Sequence, residues 1–69
     1  MSSIQINDVV LFTDKHKYRG CFGVVKKMET VKRVKYYEVV VPIPDCGSER
    51  AVATIDDIEK VGKVNADEQ

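Results

Sequence analysis

The sequence predicts an all-β fold: a small five-stranded antiparallel barrel with one short helical (3₁₀) turn near residues 56–60. Three observations predict it. Runs of β-branched and aromatic residues recur at short spacing, as "IQINDVVLFTD", "GVV", "YYEVVV" and "ERAVATI". Glycine, proline and short polar stretches punctuate them. A chain of 69 residues also has no room for βαβ crossovers, and closing a small sheet hides most of its edges.

Taken in order, "IQINDVVLFTD" reads as the first strand. Asp8, Val10 and Phe12 share one parity, and Val9, Leu11 and Thr13 the other. Both are largely apolar, so alternation alone does not pick the buried face. "KHKYRG" is a charged loop. "GVVKKMETVKRVKYYEVVVP" is ambiguous, because Val24, Met28 and Val31 also fit a helical stripe. Composition favours strands: Val24, Val25 and the run Tyr36 to Val41 are β-formers, and Gly23 stands where a helix would want Ser, Thr or Asp.

The expectation is a long hairpin turning near Thr30 to Arg33 rather than a basic amphipathic helix. Tyr37, Val39 and Val41 then share one face, and Tyr36, Glu38 and Val40 the other. Pro42 and Pro44 are expected to stop that strand, with Asp45, Gly47 and Ser48 supplying turn chemistry. "ERAVATI" is the fourth strand, with Ala51, Ala53 and Ile55 inward. "DDIEKV" is expected to form one helical turn that drops Ile58 and Val61 onto the core, before a final strand or tail. Residues 1–64 form one domain, and the polar end, 65–69, is expected to be a disordered tail.

Composition excludes several classes of function. At 43% apolar and 32% charged the chain is an ordinary globule, and no run approaches the 18 apolar residues of a membrane span. "MSSIQINDVV" lacks the basic and apolar blocks of a leader, so a cytoplasmic protein is expected. Cys21 and Cys46 are expected to be small, partly buried apolar residues rather than a bridge. With the lone His16 they form no metal-ligand spacing, so no metal and no cofactor are expected. His16 is expected to be an exposed loop residue that nothing nearby orients. Asp56 and Asp57, the best carboxylate pair, stand where the start of a helical turn wants acids. No enzyme is expected, and no small-molecule substrate.

The loop after the first strand is flanked by two motifs. "NDVVLF" follows a GDxVxV pattern with Asn7 in place of glycine, and "RGCFGVV" follows a [KR]GxxGxV pattern through Arg19, Gly20, Gly23 and Val25. Over roughly residues 7 to 28 the chain thereby resembles the KOW family of SH3-like modules. In such a motif Gly20 lets the chain reverse with positive φ, and Gly23 lets the next strand pass close to its neighbour. The resemblance implies an SH3-like barrel with Val10 and Phe12 inward, and contact with RNA, the ribosome or RNA polymerase. After Met28 the chain departs from the family, because a basic hairpin tip and "YYEVVVPIPDCGS" replace the usual "VEGxN" segment.

A formal net charge of zero hides a strong asymmetry. Residues 15 to 35 hold eight basic residues against Glu29 alone, a local charge of +7 (eight less one); the rest hold three basic against ten acidic, or −7. Lys15, Lys17 and Arg19 of the loop, with Lys26, Lys27, Lys32, Arg33 and Lys35 of the hairpin, are expected to contact phosphates, and Tyr18 and Tyr36 to stack bases. The expected partner is nucleic acid (DNA or RNA) or a protein of a nucleic-acid machine, and not a membrane. The alternative is a protein–protein interaction module or accessory subunit, such as a small phage regulator, that docks through its bipolar charge. A pI near 6.5 weighs toward the alternative, since dedicated nucleic-acid binders usually lie above about 9.

Overall fold

The computed structural model describes residues 4–44 and 47–64. The elements run β1 (Asp8–Phe12), β2 (Phe22–Val31), β3 (Val34–Ile43), β4 (Gly47–Thr54), a 3₁₀ turn (Ile55–Asp57) and β5 (Ile58–Lys63). Antiparallel ladders join them into one sheet in the order β4-β3-β2-β1-β5. The sheet is open: among the described residues no ladder links its end strands β4 and β5, which the three-residue turn connects. No helix among the described residues is long and apolar enough to cross a membrane. The expected tail and Asp45 of the expected turn lie outside the described residues.

Alternation builds the core as the β-former runs require. Val10 and Phe12 of β1, Val25 of β2, and Tyr37, Val39 and Val41 of β3 all face inward and are buried. Ala51 and Ala53 of β4, Ile58 of β5 and Ile4 complete the cluster. Phe12 and the valines are at most 1% exposed, so each contributes on the order of 1.5–3 kcal/mol by leaving water. Asp8 shares the inward parity and is fully buried. Its Oδ2 accepts the Gln5 N–H at 2.7 Å and meets the Lys60 ammonium at 3.4 Å, while Oδ1 has no partner among the described residues. A buried carboxylate needs such partners to remain charged.

The hairpin turns at Lys32 and Arg33, both in the left-handed region at φ 50° and 71°, with Val31 paired to Val34. A two-residue turn of this hand matches the twist of the strands it joins. Nearer the core, Val25 pairs with Val39 and Lys27 with Glu38, leaving Lys26 as the extra residue of a β-bulge. The bulge resets the alternation along β2, so that Val25 and Met28 face the same way.

Four expectations need correction. Ile55 is 51% exposed, because the β4 ladder ends at Thr54 and the backbone turns there into the 3₁₀ segment, which starts one residue earlier than expected. Val61 is 49% exposed because it is the extra residue of a second bulge: Val9 pairs with Gly62 and Val10 with Lys60. Pro42 does not stop β3. It pairs with Ser48 beyond Val40, the last β3 residue with a β2 partner, so on that side the strand is an edge, where proline is tolerated. Cys21 is exposed rather than partly buried; its backbone fastens the loop and its side chain faces out. Cys46 lies outside the described residues.

Candidate functional site

The sequence places the candidate cations on two structures: the loop from Thr13 to Cys21 and the β2–β3 hairpin. The loop is a chain of tight turns. The N–H groups of His16, Arg19 and Cys21 donate to the carbonyls of Thr13, His16 and Tyr18 at 3.0–3.1 Å. Its ends are tied where the Phe12 N–H donates to the Cys21 carbonyl at 2.9 Å and the Gly20 N–H to the Phe12 carbonyl at 3.0 Å. Gly20 sits at φ 83°, as the reversal requires.

His16 anchors this loop to a distant strand. Its Nε2 lies 3.1 Å from the Val52 carbonyl of β4, and its Nδ1 lies 3.1 Å from the Tyr18 N–H. A carbonyl can only accept and an N–H can only donate, so the two bonds together fix the neutral tautomer with the proton on Nε2. The ring packs 4.5 Å from Phe12 and stacks 5.7 Å from Tyr18. His16 is therefore half-buried and oriented, not the loose loop residue expected. No neighbour in sequence signals this, because Val52 is 36 residues away.

Tyr18 is fastened as well. Its hydroxyl donates to the Glu49 carboxylate on β4, and that bond, with smaller contributions from desolvation and the charges of Glu49 and Cys21, raises the phenol pKa above its ordinary value of 10.0. Lys17 lies over the ring at 5.4 Å, a cation–π contact. Lys15, Lys17, His16 and Tyr18 face Arg50 and Val52 across a cleft of 460 Å³. Arg50, which sequence reasoning missed, pairs with Glu38 at 3.1 Å; the only signal was its outward parity beside Val52 in a strand read for its alanines. Arg19 is exposed on the final turn of the loop.

In the hairpin every residue from Lys26 to Lys35 is exposed. Beyond Tyr37, the buried residue of β3 nearest the turn, the two strands continue as a ribbon for three residues, Tyr36, Lys35 and Val34 with their partners, about 10 Å at roughly 3.3 Å each. This ribbon and its base carry Lys26, Lys27, Lys32, Arg33 and Lys35 against Glu29. The register separates them: Lys27 pairs with Glu38 on the outward face with Tyr36, whereas Lys35 pairs with Thr30 on the opposite face. Lys26 occupies the bulge, and Lys32 and Arg33 form the tip. Lys27, Glu29, Tyr36, Glu38 and Val52 line a shallow depression on the outward face, so Val52 borders both concavities. Tyr36 is half-buried there, and no ring contact joins it to Tyr18 among the described residues.

Among the described residues the ion pairs are Arg50–Glu38 and Lys60–Asp8, so none of the eight cations of residues 15–35 is directly paired. No group of three or more His, Cys, Asp or Glu that could hold a metal occurs among those residues. The Asp57 carboxylate caps the 3₁₀ turn, accepting from the Thr54 N–H at 3.1 Å and the Thr54 hydroxyl at 3.2 Å. No family model, no curated protein and no solved structure matches the chain.

Proposed function

We propose that this chain is a non-catalytic cytoplasmic binding module that contacts nucleic acid, alone or within a machine such as RNA polymerase or the ribosome, through its basic loop and hairpin. The observation that carries this reading is the state of residues 26–35: every one is exposed, five are cationic, and none of those cations meets a carboxylate of the described residues within ion-pairing distance. Holding like charges together on a projecting ribbon opposes folding unless an anionic partner uses them. On this reading the sheet is a KOW-like variant of the SH3-like barrel, with the 3₁₀ turn and the Thr13–Cys21 loop filling the gap between β4 and β5. The positive φ of Gly20 and the tight packing over Gly23 support that assignment.

Binding to short oligonucleotides, followed by fluorescence anisotropy across a salt series, tests the function. If about four cations touch a duplex, log affinity falls against log salt with a slope near −3 to −4. Reversing Lys32, Arg33 and Lys35 to glutamate is expected to abolish binding and leave the circular dichroism spectrum unchanged. A slope near zero, or no binding in low salt, removes the reading.

A further inference from the structure

We infer that the distal β2–β3 ribbon inserts tip-first into the major groove of B-form DNA, with Arg33 placed to read base edges. The inference rests on the nucleic-acid reading above and adds the partner and the mode of docking.

Three observations carry it. The first is the two-faced placement of the cations. A protein that lays one sheet face on a strand gathers its charge on that face, but here Lys35 stands on one face of the ribbon and Lys27 on the other, at the ribbon's base below Glu29, with Lys32 and Arg33 at the tip. An inserted ribbon needs this arrangement, because a groove has a phosphate wall on each side.

The second is size. A sheet is about 10 Å thick with its side chains, and the B-form major groove, roughly 12 Å wide and 8.5 Å deep, admits a two-stranded ribbon. The ribbon's reach past Tyr37, about 10 Å for three residues, matches that depth. The two-residue turn at Lys32 and Arg33 adds the least possible bulk at the tip. A-form RNA, whose major groove is deep and narrow, does not admit it.

The third is the absence of aromatic residues from positions 26–35. Single strands are held by stacking bases on exposed rings, whereas the one ring on this ribbon, Tyr36, is half-buried at its base. At its tip Arg33 presents the fork that pairs with guanine O6 and N7, the commonest specific contact in the major groove.

The test compares four probes at low salt: a 16-bp DNA duplex, the RNA duplex of the same sequence, the DNA single strand, and the DNA duplex carrying glucosylated 5-hydroxymethylcytosine, whose sugar fills the major groove. The expected result is tightest binding to the plain DNA duplex, with affinity at least about tenfold weaker for each of the other three. The minor-groove ligand netropsin is expected to leave the affinity unchanged. Lys27→Glu and Lys35→Glu are each expected to weaken binding by similar factors, because each faces one wall. Equal affinity for RNA or single strands, indifference to the glucosylated bases, or loss of binding in only one of the two lysine variants overturns the insertion and leaves the broader reading standing. No binding to any probe overturns both.

Discussion

Replacing Gly23 with alanine tests how closely β2 must approach β3. An added Cβ would lie 2.9 Å from the Val40 carbonyl oxygen and 3.4 Å from Val41 Cγ2, and closer still to Val39 Cγ1. The valine methyls can shift a little, but the Val40 oxygen belongs to the backbone beside the Val24–Val40 pair and cannot move without opening the ladder. Overpacking of this kind costs about 1–3 kcal/mol, and a backbone obstacle puts Gly23→Ala at the upper end. A domain of this length has roughly 3.5–10 kcal/mol in all, at about 0.05–0.15 per residue. The melting temperature should therefore fall by about 12–24 °C, at roughly 4–8 °C per kcal/mol. Gly62→Ala is the control, because an added Cβ there meets nothing within 4 Å; its stability should hold or rise by about 0.4–1 kcal/mol. Calorimetry on both variants decides the matter, and a Gly23→Ala protein that melts within a few degrees of the parent refutes the close approach.

Exchanging Lys32 and Arg33 for Asn and Gly relieves two left-handed side chains at φ 50° and 71°, so the urea midpoint should rise by the equivalent of about 1–2 kcal/mol while affinity for nucleic acid falls; a lower midpoint contradicts the turn geometry. His16→Ala removes two hydrogen bonds worth about 0.5–1.5 kcal/mol each together with the Phe12 contact, and hydrogen exchange over residues 13–21 should accelerate; unchanged protection contradicts the anchor. Because the raised pKa means that the fold favours the neutral phenol of Tyr18, that contribution to stability is complete below pH 10.0 and is lost as pH rises through the folded value. The Tyr18 ring carbon signals should titrate above the ordinary range, and Glu49→Gln should bring the titration down; no movement removes Glu49 as the cause.

Much of the architecture was legible because periodicity and turn chemistry agreed. Tyr37, Val39 and Val41 share one buried face as their alternation groups them, Val10 and Phe12 lie inward as the resemblance and not their spacing implied, and the hairpin turns within the expected Thr30–Arg33 window. Both bulges escaped the reading for one reason: an inserted residue breaks alternation without changing composition. Lys26 is flanked by another lysine, and Val61 is as apolar as a core residue, so nothing at either position marks it as extra. The cations were legible as a population but not as a geometry, since the register past the Lys26 bulge decides which faces Lys27 and Lys35 occupy. His16 was illegible because its partner is a backbone carbonyl, and any residue at position 52 would supply one.

That anchor has a consequence for the protein in concentrated solution. β4 is a terminal strand of the sheet, and such strands invite another chain to pair with them. Here the Val52 carbonyl is already occupied by an imidazole, and the Glu49 side chain is held by a phenol. A second molecule arriving in extended form at this edge meets an interrupted template beside two lysines, so the loop that carries Lys15 and Lys17 also guards the β4 edge against pairing with a neighbouring copy.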